Sequence, residues 1–171
     1  MQSDKWGSHA WEYLHTVTFN YPEKPSAIDK QNFYDLFNNL QYTLPCSHCK
    51  NSYSIFFKHI NIDDYLDNRF GLVFWLYVIH NIVNLKLNKE PARFSDVVKK
   101  YEGLRAQCGK IDDQDKLAQC RANVVPIAQE QIDDFCQKCY DKYESITLKK
   151  IVKLVKSGVL EENFKGTLLW R

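Results

Sequence analysis

Two thiols set two residues apart behind a proline, in Leu44-Pro45-Cys46-Ser47-His48-Cys49, form a pair that can cycle between dithiol and disulfide. Proline lacks a backbone N–H and is favoured at helix starts, which predicts Cys46 in the first turn of a helix running through Tyr53 and Phe57. Unpaired N–H groups at that end favour an anion, and the thiolate is the form that attacks disulfides. Zinc sites use the same pair of cysteines, so the motif alone leaves a metal reading open.

The other four cysteines extend this chemistry. Cys136-Gln137-Lys138-Cys139 is a second C-x-x-C on a predicted helix. A mobile pair of this kind near a fixed one makes a relay for thiol exchange, with Cys136 and Cys139 as the shuttle. Cys108 and Cys120 flank a short charged segment and read as a structural disulfide. Closing a loop of that order would stabilise the fold by roughly 3 kcal/mol. Six cysteines suit an oxidising compartment, yet Met1-Gln2-Ser3-Asp4-Lys5-Trp6 carries no apolar stretch of the secretory kind. That conflict points to redox catalysis, in a chain expected to be soluble and unprocessed.

Two further constellations suit a planar, polar ligand. Gly7, Trp11 and His15 are four residues apart, so one stripe offers bare backbone, an indole and an imidazole. His80, Asn81 and Asn84 interrupt the apolar run Phe74-Trp75-Leu76-Tyr77-Val78-Ile79, and a buried polar group needs a hydrogen-bonding partner. These three residues can satisfy one another or cap neighbouring helices. Their clustering points instead to something polar lying against them.

The elements that must position these residues read as helices, since apolar residues recur at three and four rather than at two, and the chain has only six glycines and five prolines. A first helix runs from Trp6 to about Phe19 and is ended by Tyr21-Pro22 and Lys24-Pro25. Ser26 with Asp29 opens a second, with Ile28, Phe33, Leu36, Phe37 and Leu40 as its buried stripe. The Cys46 helix follows, then a short Asp63-Asp64-Tyr65-Leu66 segment and a long apolar helix from Arg69 to Leu87. These four helices form one bundle. Ser95 caps a shorter fifth helix through Tyr101. The fold class is therefore all-α: a four-helix bundle with a short fifth helix over residues 1–102, and a helical C-terminal extension over 103–171. In the extension, helical patterns cover Asp113 to Val124, Ile127 to Tyr143 and Leu148 to Lys156. Lys149, Lys150, Lys153 and Lys156 oppose Leu148, Ile151, Val152 and Val155, as a solvated face does.

The 171 residues are 44% hydrophobic with a net charge of +2, enough for one sizeable core and too mildly basic to argue for nucleic acid. No apolar run reaches membrane-spanning length.

Taken together, Trp6-Gly7-x-x-x-Trp11-x-x-x-His15, Tyr21-Pro22, Pro45-Cys46-x-x-Cys49 and His80-Asn81-x-Val83-Asn84-x-x-Leu87-x-Lys89 resemble, in the same order, the Erv/ALR FAD-linked sulfhydryl oxidases. The resemblance covers about residues 5 to 100. It implies a four-helix bundle holding FAD, usually as a homodimer, that oxidises protein dithiols, directly or through a thioredoxin-like relay, with molecular oxygen and releases hydrogen peroxide. No G-x-G-x-x-G fingerprint is present, so FAD would bind outside a Rossmann fold. Carried over by residue, the likeness makes Cys46 the sulfur that accepts electrons from an incoming dithiol and Cys49 the sulfur beside the flavin. Gly7, Trp11 and His15 match FAD-contacting positions, His80, Asn81, Asn84 and Lys89 match those at the adenine and phosphate end, and Trp75 and Val83 line the same pocket. Family members often keep a shuttle dithiol outside the core, a place that Cys136 and Cys139 fit.

Cellular members often carry a disulfide where this chain has Tyr77 and Ser95. The spacing Lys89-Glu90-Pro91-Ala92-Arg93-Phe94 departs from the family's K-P-x-F, which leaves Phe94 a weak candidate. These departures look more like members encoded by large cytoplasmic DNA viruses, which implies the host cytoplasm or the virion, with the mitochondrial intermembrane space as the alternative. The competing functions are a non-enzymatic zinc module, in which Cys46, Cys49, Cys136 and Cys139 form a Cys₄ site with His48 as a substitute ligand, and a helical scaffold with incidental cysteines. A thioredoxin-like reductase would need a βαβ pattern that is not seen.

Overall fold

Capping decides where several of the helices begin. The computed structural model describes residues 2–105, 113–116, 118 and 127–160, and among these no strand occurs. Helix α1 (Ser3–Phe19) starts a turn earlier than the Trp6 expected from the pattern and turns Leu14, His15, Thr18 and Phe19 inward. The turn after it is pinned at both faces of Tyr21, whose hydroxyl donates to the Leu66 carbonyl at 2.8 Å and whose own carbonyl accepts from Arg69 Nε at 2.8 Å.

Helix α2 (Ala27–Thr43) opens on the expected capping box: the Ser26 hydroxyl accepts from Asp29 N, and Asp29 Oδ2 accepts from Ser26 N. It buries only Phe37 fully, with Phe33, Leu36 and Leu40 half-buried. Ile28, expected in that stripe, is 73% exposed. The reason is length: α2 has 17 residues and its hairpin partner α3 (Ser47–His59) has 13, which leaves the first turn of α2 beyond the end of α3. A 3-10 turn (Ile62–Tyr65) then leads into α4 (Arg69–Lys86), where the Asn68 side chain accepts from Gly71 N at 3.0 Å.

Helix α4 is apolar on every side, and Gly71 through Ile79 are all buried. Such a helix needs neighbours all round. Helix α1 supplies one face, and Phe37 of α2 and Phe57 of α3 meet Trp75 edge-on across another. The remaining cover comes from α5 (Phe94–Leu104) and α6 (Gln129–Cys139). Helix α5 is not capped by Ser95 as expected; Arg93 is the cap residue, and Phe94 is buried against Phe74 and Tyr77. Phe94 is thereby a packing residue.

The two C-terminal patterns, Ile127 to Tyr143 and Leu148 to Lys156, are one continuous helical run rather than two. A π turn (Tyr140–Glu144) joins α6 to α7 (Ser145–Lys156) and shifts the phase, so Tyr143, Thr147, Ile151 and Leu154 face the core while Leu148 is 38% exposed. The basic face is correspondingly interrupted. Lys150 lies against the 3-10 turn and donates to Asp64 and to the Asn61 carbonyl. Tyr143 and Lys142 donate to Asp67, and the Tyr65 and Thr147 hydroxyls pair at 2.7 Å. Residues of this run belong to the same hydrophobic cluster as the bundle. Cys108 and Cys120 lie outside the described residues, as does most of the Asp113 to Val124 pattern. Among the described residues no helix is long and apolar enough to cross a membrane.

Candidate active site

Cys46 is the N-cap of α3 rather than a residue of its first turn. Its extended backbone (φ −128°, ψ 124°) folds the side chain back over the helix, where Sγ accepts from Cys49 N at 3.2 Å and is bonded to Cys49 Sγ. The disulfide thus spans the N-cap and third positions of a helix, where backbone N–H groups face outward and stabilise developing negative charge on sulfur. Both cysteines are half-buried.

The stripe on α1 reaches the polar interruption of α4. His15 is buried, with Nε2 at 2.9 Å from His80 Nδ1, and the Trp11 indole stacks on the His80 ring at 4.0 Å with planes 8° apart. Burial, then the His80 and Lys100 charges, lowers the His15 pKa to about 3; burial, then Lys89, lowers that of His80 to about 4. Both imidazoles are therefore neutral at neutral pH, and one proton serves the hydrogen bond between them. His15 Nδ1 and Trp6 Nε1 are buried without a partner among the described residues. A flat aromatic stack with unsatisfied ring nitrogens suits a planar heteroaromatic group such as the ring systems of FAD, so these residues fit that cofactor.

The other expected residues are placed as follows. Gly7 leaves open space where a Cβ would project, beside this cluster on α1. Asn81 has its amide committed elsewhere, donating to the Ala92 carbonyl and accepting from Ala92 N, both at 3.0 Å, with the Tyr77 hydroxyl on the same carbonyl. It clamps the chain that follows α4. Asn84 Nδ2 donates to Asn81 at 3.4 Å, its carbonyl accepts from Lys89 N at 2.8 Å, Val83 is half-buried and Lys89 is exposed. Trp75 does not join the cluster. Five residues place it about 140° round the helix from His80, and its indole N–H donates to the Ile60 carbonyl between Phe37 and Phe57.

The disulfide and the ring cluster share one end of the bundle. Lys86, six residues beyond His80, donates to Ser52 Oγ at 2.6 Å, and Ser52 lies one turn along α3 from Cys49. The second C-x-x-C is at the other end. Cys139 is fully buried and donates to the Phe70 carbonyl at 3.4 Å, and the 16 residues from Phe70 to Lys86 span about 24 Å of helix. Cys136 and Cys139 are free thiols. Burial, with Asp133 next, raises Cys136 to about 11, and burial, with Cys136 next, raises Cys139 well above the usual thiol range. The sequence suggested a mobile pair; the structure buries it because Ile132, Phe135, Cys136 and Cys139 form one apolar face of α6. The four cysteines of the zinc reading are correspondingly not gathered, and no group of three metal-ligating side chains occurs among the described residues.

Sequence reasoning missed Phe19 and Tyr101. Phe19 continues the four-residue stripe of Gly7, Trp11 and His15, and Tyr101 of α5 stacks on His15 at 4.9 Å and on Phe19 at 5.6 Å. Extending the stripe by one turn would have found Phe19; nothing local marks Tyr101.

The neutral histidine pair makes stability acid-sensitive. Each ring has a folded-state pKa below its unfolded value of 6.5, so the unfolded chain takes up protons first as pH falls. Stability is present above about pH 6.5 and is lost below it, by about 1.4 kcal/mol per pH unit for each histidine that stays neutral. Urea unfolding midpoints should fall steeply between pH 6.5 and 4.5, and His80→Asn should flatten that slope.

Residues 8–102 match the profile described as the Erv1 / Alr family. A probable FAD-linked sulfhydryl oxidase of Acanthamoeba polyphaga mimivirus is 33% identical over 106 residues, 60% of this chain and 72% of that protein. The FAD-linked sulfhydryl oxidase of African swine fever virus is 28% identical over 98 residues, 57% of this chain and 80% of its own length. Among solved structures, the FAD binding domain of Erv1 from Saccharomyces cerevisiae superposes with a TM-score of 0.53 at 27% identity, over 60% of this chain and 95% of that domain.

Proposed function

Because this chain belongs to the Erv1 / Alr family, we propose that it is a thiol oxidase that binds FAD and forms disulfides in protein dithiols, with Cys46 and Cys49 as its redox-active pair. The observation that carries this reading is the Cys46–Cys49 disulfide on a helix N-terminus, tied through Ser52 and Lys86 to the same half of α4 that carries His80 and its Trp11 and His15 partners.

The thiol chemistry follows from the two sulfur positions. A substrate thiolate attacks Cys46 Sγ, forming a mixed disulfide while the Cys46–Cys49 bond breaks and Cys49 leaves as a thiolate. The second substrate thiol, deprotonated, attacks the substrate sulfur, closing the product disulfide and releasing Cys46 as a thiolate. The Cys49 N–H that already points at Cys46 Sγ stabilises that leaving group. Two electrons now reside on the pair, and their exit from Cys49 restores the disulfide. FAD, when bound, supplies the two-electron acceptor. Trp11, His15 and His80 would hold its rings, and Gly7, Val83, Asn84 and Lys89 complete the site, with Asn81 fixing the chain beside it. Over a full turnover, two thiols and one molecule of oxygen give one disulfide and one hydrogen peroxide. The reading carries with it pairing of two copies and a location in the host cytoplasm, the virion or the mitochondrial intermembrane space.

Cys136 and Cys139 can act as the shuttle pair only when α6 leaves the core, because both thiols are buried about 24 Å along α4 from the Lys86 end. The extension over 103–171 then serves as the arm that carries them. The test of the function is the visible spectrum of the purified protein followed by anaerobic addition of dithiothreitol. A flavin band that bleaches, with peroxide released in equal amount to disulfide once air is admitted, is the expected result. A colourless protein that binds no added FAD would overturn it.

A further inference from the structure

The C-terminal run lies outside the segment that matches the family profile, yet a row of rings connects it to the histidine pair. Phe135 of α6 stacks on Phe19 of α1 at 5.7 Å with planes 19° apart. Phe19 stacks on Tyr101 of α5 at 5.6 Å and 30°, and Tyr101 stacks on His15 at 4.9 Å and 20°. His15 then meets His80 through the 2.9 Å hydrogen bond. Phe19, Phe135, Tyr101 and His15 are all buried.

Phe19 and Tyr101, in the middle of the row, each stack on two of its rings, and a ring so packed resists lateral displacement. Three helices far apart in sequence contribute to the row, and its far end is tied down: Phe135 is also gripped edge-on by Phe70 at 4.7 Å and flanked by Phe94 at 6.4 Å. The near end, His15, has one ring nitrogen on His80 and the other buried without a partner. Its backbone is fixed by the helix, and the Thr18 hydroxyl donates to its carbonyl at 2.9 Å. Of the rings around it, Tyr101 lies nearest and most nearly parallel, at 4.9 Å and 20°, while His80 and Trp11 meet it tilted by 40° and 41°.

We propose that Phe135 is a positioning residue for the cofactor site: through Phe19 and Tyr101 it fixes the ring of His15, so that the C-terminal helix α6 tunes FAD binding without touching FAD. This rests on the reading of Trp11, His15 and His80 as the FAD site. It predicts a coupling between two residues on helices that the family match alone would treat as unrelated, and linkage makes that coupling reciprocal.

The experiment is a fluorescence titration of the FAD-free protein with FAD, on wild type, Phe135→Leu, Val155→Ala, His15→Ala and the double variant. Val155 is a buried residue of α7 outside the ring row and controls for general loosening of the C-terminal run. Phe135→Leu is expected to weaken FAD binding by about five- to tenfold, the effect of losing one ring contact, with Val155→Ala unchanged. In the His15→Ala background, Phe135→Leu should have no further effect. The His15 imidazole proton signals should also shift in Phe135→Leu before any FAD is added, which a purely structural role at α6 would not produce. As a second measurement, FAD should slow alkylation of Cys136 and Cys139 in the wild type more than it slows urea-induced global unfolding. Equal affinity in Phe135→Leu, equal weakening in Val155→Ala, or full additivity with His15→Ala would each overturn the proposal. Should the wild type bind no FAD while the His15 signals still respond to Phe135→Leu, the functional reading fails and the ring linkage stands; a silent His15 removes the linkage itself.

Discussion

Cys49→Ser should stop thiol-driven bleaching of bound FAD, slowing it by on the order of a thousandfold or more. A serine hydroxyl cannot form a disulfide, so Cys46 no longer has a bonded sulfur for a substrate thiolate to attack, and no thiolate is released at the third position of α3. Helix geometry is expected to survive, since serine is smaller than cysteine and Cys46 Sγ accepts from the Cys49 backbone N–H rather than from its side chain. Rapid mixing with dithiothreitol in the absence of oxygen reads the effect directly. Normal bleaching by the Cys49 variant would remove it from the electron path and return the site to Cys46 alone or to another thiol. The companion Cys46→Ser variant leaves Cys49 able to meet the cofactor as a free thiolate, so the two substitutions should differ in spectrum as well as in rate.

Gly71→Ala tests the packing of the C-terminal run with an effect whose sign separates two arguments. Helix propensity alone predicts that alanine in the first turns of α4 stabilises by nearly 1 kcal/mol. A Cβ at this position, however, would lie 2.4 Å from the Tyr65 carbonyl oxygen and 2.7 Å from the Tyr143 hydroxyl. The Tyr65 atom is backbone, and the Tyr143 ring is held by its bond to Asp67. Neither gives way cheaply. The expected outcome is a loss of about 3 kcal/mol, seen as a melting temperature about 6–12 °C lower. An unchanged or raised melting temperature would mean that the π turn does not hold Tyr143 against α4.

Those two positions also mark what the sequence makes readable. Features fixed by neighbours in the chain were legible: the Ser26–Asp29 box, the apolar α4, and the proline that delivers Cys46 to a helix start. The need of His80 for a polar partner was legible because it breaks the apolar run of α4, but the partner was not: His15, 65 residues away, had read only as part of a stripe for a planar ligand. The two C-x-x-C pairs were not distinguishable by motif, since what separates them is position on a helix. Cys46 stands at an N-cap with an extended backbone, whereas Cys136 and Cys139 sit at the C-terminal end of α6 on its apolar face. Trp75, which only the resemblance assigned to the cofactor pocket, lies about 140° round α4 from His80 with its indole N–H on the Ile60 carbonyl. Tyr101, Phe135 and the π turn depend on contacts between α1, α5 and α6 that no short window contains.

The depth of Cys136 and Cys139 has a bearing on self-inflicted damage. On the reading proposed above, in which disulfides are formed and peroxide is released, the protein works amid the very reagents that oxidise exposed sulfhydryls. Locked inside and held protonated by their surroundings, these two side chains offer such reagents no nucleophile, so for as long as α6 stays seated the protein is insulated from its own product stream.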